Sequence, residues 1–311
     1  MALETKTLGI ISFYWITSLS LVFLNKFIFN GKYLFPYILF VTWFQLIISL
    51  ALICLVLRNR SIKFEFQWNI LKKILPLSLI YLGMLLFNNL CLNYVEVTFY
   101  QVARSLTIIF NLLFSFLFLN EKINSKIIYS CIFVFAGFVL GSVSEIKFSW
   151  IGLIAGILSS IFVSTYSIMV KKVLVVVQGD EWLLLFYNTL ISITLLLPTI
   201  FISGEYNQIL QFEYIHNTNF WLIMSVTAIF GFLINYAIFL QIKFTSPLSN
   251  CISGTAKAAV QTLLAAYIFK NPINLVNGVG ISIVIIGSGC YSLIRYYEKQ
   301  NNSKNLKDKT K

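Results

Sequence analysis

Residues 247–269 read PLSNCISGTAKAAVQTLLAAYIF, an apolar run with a single cation, Lys257, near its middle. About 20 apolar residues in a helix cross the hydrocarbon core of a bilayer. A lysine at the centre of such a helix costs roughly 2.5 to 3.5 kcal/mol on insertion scales, so it marks a functional position by default. None of the chain's 11 acidic residues lies at comparable depth to neutralise it. The partner is therefore expected from outside the chain, as an anion. The alternative is a lysine that snorkels to the interface, a long reach across about ten residues on either side.

The rest of the chain extends this reading. It is 59% hydrophobic and 11% charged, with a mean hydropathy of +0.85, which excludes an ordinary soluble domain. Apolar runs predict an all-α membrane protein with ten transmembrane helices near 7–29, 34–57, 74–94, 97–119, 125–143, 149–171, 182–202, 219–242, 247–269 and 274–296. Cys54, Cys91, Cys131, Cys251 and Cys290 all fall inside these spans without CxxC spacing, so no disulfide, metal site or cofactor is expected. The first run carries Asn25 and Lys26, lacks a small-residue cleavage site and leads directly into the second, which argues against a removed signal peptide.

The net charge of +12 follows from topology and does not point to nucleic acid. With both termini cytosolic, Lys32, Lys147 and Lys270 lie on the far side, and Lys26, Arg104 and Lys257 lie within spans. The other seventeen of the 23 cations face the cytosol, as the positive-inside rule requires. On this topology the sequons Asn59-Arg60-Ser61 and Asn301-Asn302-Ser303 are cytosolic.

At an offset of 150 residues, Ile123 aligns with Ile273, Asn124 with Asn274, Val134 with Val284, Gly137 with Gly287 and Ser142 with Ser292. The fifth span thus repeats as the tenth. Five helices per half is an odd number, so the second copy enters inverted, the plan of many secondary transporters. The expected organisation is a cytosolic N-terminus (1–6), two five-helix repeats (7–143 and 149–296) and a basic, irregular cytosolic tail (297–311). The same offset sets Arg104 opposite Gly254 and Thr107 opposite Lys257, so the two deepest cations sit on equivalent helices about one turn apart.

On the ninth span Ser253, Lys257 and Gln261 share a face, with Gly254 and Ala258 on a small-residue face beside it. On the fourth, Tyr100, Arg104, Thr107 and Asn111 form a second polar stripe, although Arg104 lies near enough to one end for a helix-terminal role. Lys26 lies close to the end of its span and reads equally as interfacial or phosphate-facing. In the seventh span, Phe186-Tyr187-Asn188-Thr189 sets an aromatic and a carboxamide in an apolar run. That pair suits a nucleobase, and equally a hydrogen bond between helices. All acids lie in loops, tails or helix ends, which disfavours coupling to protons or sodium and favours exchange of one organic anion for another. A nucleophile with its base, or a deep carboxylate pair, is absent from the sequence pattern, so an enzyme is not expected.

The stretches Leu240-Gln241-Ile242-Lys243-Phe244-Thr245-Ser246-Pro247-Leu248 and Ser253-Gly254-Thr255-Ala256-Lys257-Ala258 resemble the nucleotide-sugar transporters of the drug/metabolite transporter superfamily, the GDP-fucose carriers in particular. Asn89-Leu90-Cys91-Leu92-Asn93-Tyr94-Val95, Phe99-Tyr100 and Arg104-Ser105-Leu106-Thr107 look like the same family, and the similarity runs from Asn25-Lys26 to Tyr291-Ser292. The resemblance implies a ten-helix inverted-repeat antiporter that imports GDP-fucose into the Golgi lumen and returns GMP. GDP-mannose or another nucleotide sugar remains an alternative cargo, and a plastid-type triose-phosphate or phosphoenolpyruvate translocator an alternative relative. Related GDP-mannose carriers contact guanine with a Phe-Tyr-Asn-Asn motif, which Phe186-Tyr187-Asn188-Thr189 matches except at its last residue. Their Gly-Ala-Leu-Asn-Lys motif, which contacts sugar and phosphates, keeps only the lysine here, in Ser253-Gly254-Thr255-Ala256-Lys257.

The resemblance therefore implies a phosphate contact from Lys257, to which the reading of charge in the spans adds Arg104 and Lys26, and guanine contacts from Phe186, Tyr187, Asn188 and Thr189. The cavity lining would come from Ser253, Gly254, Thr255, Tyr14, Tyr100, Thr107 and Gln261, Tyr14 by its distance from Asn25-Lys26. Lys307 and Lys309 fit a dilysine retrieval signal, which makes the ER the alternative address. Homodimerisation is left open. Asn59 and Asn301 should remain free of glycan in a microsomal glycosylation assay; a glycan on either would invert the topology.

Overall fold

The computed structural model describes residues 2–31, 33–59, 67–119, 125–143, 149–244, 254, 257–258, 260–265, 267–268 and 275–309. Helices run over Ala2–Asn30 (α1), Ile38–Asn59 (α2), Trp68–Tyr94 (α3), Val97–Leu119 (α4), Ser125–Val143 (α5), Trp150–Leu174 (α6), Glu181–Ile202 (α7) and Thr218–Phe244 (α8). The helical residues described between 254 and 268 form α9, Leu275–Lys309 is α10, and a short helix, Glu205–Leu210, lies between α7 and α8. Among the described residues there is no strand. Helices satisfy their own backbone groups, which an apolar solvent demands.

Six helices, α1, α2, α3, α6, α7 and α8, are long and apolar enough to cross a membrane, and shorter apolar stretches lie at Phe99–Phe114, Ser125–Leu140 and Gly278–Ile294. The chain is a multi-pass helical membrane protein. The expected boundaries hold to the residue for α4 and α5. The tail does not behave as expected: α10 continues as helix to Lys309. Residues 291–309 contain neither Gly nor Pro and include four Lys, so no strong breaker stops a helix there.

Acidic residues serve the helix ends. Asp180 Oδ1 accepts from Trp182 N at 2.9 Å and Leu183 N at 3.3 Å, capping α7. Glu205 reaches across from the short helix to the first turn of α2, accepting from Phe40 N at 3.0 Å and Leu39 N at 3.4 Å. Burial pushes the Glu205 carboxyl up, and these two amides act against it. The same loop closes its face of the bundle with an aromatic cluster in which Tyr33, Phe35, Phe212, Tyr214 and Phe220 meet in edge-to-face and tilted pairs. At the other end, Leu57, Ile74, Tyr81, Tyr166, Trp182 and Phe239 belong to the core shared by α2, α3, α6, α7 and α8.

The helices pack in reciprocal pairs. α3 lies on α6 and α1 on α8; α2 lies on α8 and α3 on α7; α2 also meets α7, and α5 meets α10. The α5–α10 contact is interlocked by glycine. A Cβ on Gly137 would lie 2.8 Å from Gly280 O and Val284 N, and one on Gly287 would lie 3.0 Å from Val134 Cγ2. Gly289, two residues after Gly287, has nothing among the described residues within 4 Å of such an atom. Gly137→Ala should therefore destabilise the detergent-solubilised protein by about 1 to 3 kcal/mol, the cost of an overpacked contact. Gly287→Ala should cost less and Gly289→Ala nothing measurable. Equal melting temperatures for all three would contradict the interlock.

Candidate functional site

Lys257 is buried, 6% exposed, on α9. Its Nζ donates to Ser18 Oγ on α1 at 2.7 Å and stands 5.1 Å from the centroid of the Tyr14 ring. Tyr14 and Ser18 are one turn apart on α1, so a single helix face presents both a hydroxyl and a π-face to the ammonium. An ammonium has three donors and a serine hydroxyl is neutral. The charge is held in place and partly solvated, yet it is not cancelled.

Arg104 on α4 is half-buried. Its Nη1 donates to Tyr100 Oη at 2.9 Å, one turn earlier, and its Cζ lies 5.7 Å from that ring's centroid. Tyr100 Oη donates in turn to Asn88 Oδ1 on α3 at 3.2 Å, and Ser159 Oγ on α6 donates to the same oxygen at 2.7 Å. Arg104 lies within electrostatic range of both Lys257 and Tyr14. Among the described residues neither cation has a carboxylate partner. Two like charges in one apolar interior repel each other, and an anion between them removes that cost.

Unsatisfied polar atoms surround the pair. Thr107 Oγ1, one turn beyond Arg104, is buried and has no hydrogen-bond partner among the described residues. Gln261, one turn beyond Lys257, is fully buried, and neither amide atom has a hydrogen-bond partner among the described residues. Such groups are costly to leave unmade. Gly254 has nothing among the described residues within 4 Å of a Cβ built on it.

Other expected residues are held elsewhere. Lys26 donates to Leu92 O at 2.9 Å and Val95 O at 2.6 Å, which caps the C-terminal end of α3 with a positive charge. Tyr187 is fully buried in the core shared by α2, α3, α6, α7 and α8, its Oη accepting from Gln67 N at 2.8 Å, and Phe186 meets its ring edge-on at 5.7 Å. Asn188 Oδ1 accepts from Ser78 Oγ at 2.9 Å, while Asn188 Nδ2 and Thr189 Oγ1 are buried without a hydrogen-bond partner among the described residues. In this conformation the Tyr187 ring has no open face for a base to stack on. Ser253 and Thr255 lie outside the described residues.

Sequence reasoning missed Ser18, Asn88 and Ser159. It also missed a buried amide chain in which Gln45 donates to Asn25 at 2.9 Å, Asn25 to Asn89 at 3.2 Å and Asn89 to Thr42 at 3.0 Å, tying α1, α2 and α3 together. The available signal was the cost of a carboxamide in an apolar span, which Asn25, Gln45, Asn88 and Asn89 all share.

The Triose-phosphate Transporter family model matches residues 5–292. The chain is 49% identical over 298 residues to GDP-fucose transporter 1 of Dictyostelium discoideum, covering 93% of this chain and 81% of that one. It is 35% identical over 308 residues to "GDP-fucose transporter, Golgi" of Drosophila melanogaster, covering 94% and 91%. A solved crystal structure aligns with a TM-score of 0.61 over 90% of this chain and 98% of its own, at 14% identity, a likeness of fold alone.

Because Lys26 completes two main-chain carbonyls, Lys26→Met should lower stability by about 2 kcal/mol, the range for hydrogen bonds to a charged group. Thermal unfolding in detergent reads this directly, and an unchanged melting temperature would leave the lysine without its capping role.

Proposed function

This chain belongs to the Triose-phosphate Transporter family, and on that premise we propose that it is a nucleotide-sugar antiporter importing GDP-fucose into the Golgi lumen in exchange for GMP. The observation that carries the reading is the pair of cations, Lys257 buried and Arg104 half-buried, resting on neutral hydroxyls with no carboxylate among the described residues to cancel them. A diphosphate offers the charge and the acceptor oxygens they lack. The names of the similar proteins point to the same cargo and compartment.

In this mechanism Lys257 and Arg104 grip the diphosphate from opposite helices. Tyr14 and Gln261 adjoin Lys257, Thr107 adjoins Arg104, and Gly254 admits the sugar end, with Ser253 and Thr255 beside it. Guanine falls to Asn188 and Thr189, whose unpaired atoms supply the donor and acceptor. Tyr187 and Phe186 come within its reach only in a conformation that releases Tyr187 from Gln67. Lys26 serves the phosphate path from the α3 terminus it caps.

The fold in this proposal is two inverted five-helix repeats, residues 7–143 and 149–296, with both termini and the 297–311 tail cytosolic. Reciprocal packing supports it. Exchanging each helix for its partner five places on turns the α3–α6 contact into α8–α1, and α2–α8 into α7–α3. Gly137 meets Val284 while Gly287 meets Val134, two pairs that the 150-residue offset interconverts. Alternating access follows: an empty site with uncompensated cations reorients reluctantly, and either nucleotide relieves it.

Proteoliposomes preloaded with GMP should take up far more GDP-fucose than empty ones, and Lys257→Ala should abolish that uptake in protein that still folds. Lys257→Arg should also be impaired, since a planar fork does not replace a compact ammonium. Equal uptake by empty and loaded vesicles would remove obligatory exchange, and wild-type rates for Lys257→Ala would remove the site. Inhibition by inorganic phosphate but not GMP would favour a sugar-phosphate carrier instead.

A further inference from the structure

We propose that Asn88 and Ser159 are positioning residues which aim Arg104 at the diphosphate while leaving its charge uncancelled; the inference rests on the carrier reading above. The direction of the hydrogen-bond chain is set by its charged end. A guanidinium only donates, so Tyr100 Oη accepts from Arg104 Nη1 and must pass its single proton onward. That proton goes to Asn88 Oδ1, whose second lone pair takes the proton of Ser159 Oγ. With both lone pairs engaged, the carboxamide oxygen is fixed in orientation, and so is the phenol that holds the arginine.

The backbone is fixed at the same place. A Cβ on Gly156 would lie 2.7 Å from Ala103 Cβ and 3.2 Å from Cys91 Sγ, so α6 sits directly against α4 and α3 here. Ser160 Oγ adds a hydrogen bond to Ala103 O at 2.8 Å. Gly156, Ser159 and Ser160 occupy one face of α6 at helical spacing. Arg104 follows Ala103, so the close approach anchors the residue from which the guanidinium extends. One of its five donors is used on Tyr100, and the others remain for a ligand.

Every partner in this chain is neutral. A carboxylate at position 88 would have nearly the same shape and would accept the same two protons, yet it would neutralise the guanidinium across a single phenol. The amide therefore orients the cation without satisfying its charge. This provides a substitution, Asn88→Asp, whose effect differs in kind from a packing defect.

Wild-type, Asn88→Asp, Ser159→Ala and Tyr100→Phe proteins would be reconstituted in equal folded amounts, and GDP-fucose uptake measured with and without lumenal GMP. Tyr100→Phe should raise KM by about tenfold, the loss of one hydrogen bond to a charged group, and Ser159→Ala by about threefold, since its bond is to a neutral amide, each with a smaller fall in maximal rate. Asn88→Asp should bring the ratio of GMP-loaded to empty uptake down towards about one, because the neutralised empty carrier reorients freely. A purely structural role predicts lower melting temperatures and maximal rates at wild-type KM and wild-type exchange ratio, and that result would overturn the proposal. Tyr100→Phe keeps the ring and removes one oxygen, so its KM decides the question if Asn88→Asp does not fold. Absence of uptake by the wild type would overturn the carrier reading and this one with it, whereas wild-type uptake with unaltered variants would overturn this one alone.

Discussion

A cation inside a bilayer-spanning bundle must be solvated by something, and the choice of partner decides what the cation can do. Lys257 and Arg104 are solvated by Ser18 and Tyr100, whose hydroxyls take a proton's worth of hydrogen bonding and return no charge. The cost of burial is partly offset while the field remains. Each ring nearby, Tyr14 for the lysine and Tyr100 for the arginine, lowers that cost further through its quadrupole. The arrangement keeps both side chains ordered and the site electropositive.

Lys26 shows the other solution. It has the same ammonium and similar burial, yet both of its described hydrogen bonds go to main-chain carbonyls at the end of α3, where the helix dipole supplies negative potential. An ammonium so placed is a structural clamp between α1 and the α3–α4 corner. The adjoining amide chain through Asn25, Asn89, Thr42 and Gln45 reinforces it, since each oxygen named there accepts and each nitrogen donates. The two buried lysines differ in their described acceptors, main-chain carbonyls at a helix terminus for Lys26 and a side-chain hydroxyl for Lys257.

The depth of Lys257 and Arg104 was legible in the sequence because a charge in an apolar run announces its own cost. Helix limits were legible from the apolar runs, to the residue in α4 and α5. Rotation of a helix about its axis was not. Ser18 and Asn88 are ordinary polar residues until α1 and α3 are turned to face Lys257 and Tyr100, and hydropathy carries no such angle. Tyr187 illustrates the converse: a motif fixes a position along α7, whereas the ring's burial against α2, α3 and α6 comes from packing that four residues do not encode. The helical tail was misjudged because polarity was taken for irregularity, although Lys, Gln and Glu are good helix formers when no membrane is required.

The reciprocal helix contacts link the charge to movement. α5 and α10 interlock through Gly137 and Gly287 backbone to side chain, a contact too tight to slide without loss. The cations instead sit on α4 and α9, which meet α6 and α1 through serines: Ser160 and Ser164 bond Ala103 O and Asn111 Oδ1, and Ser18 bonds Lys257. Hydroxyls can exchange one acceptor or donor for another as helices shift, which a buried ion pair cannot do without leaving a bare charge. In the proposed inverted repeat, the rigid α5–α10 pair is the strut and the two serine-faced seams are where rearrangement costs least. A carboxylate at either seam would stabilise one access state in the absence of cargo, and its absence from both is consistent with a carrier whose own cargo is the counter-ion.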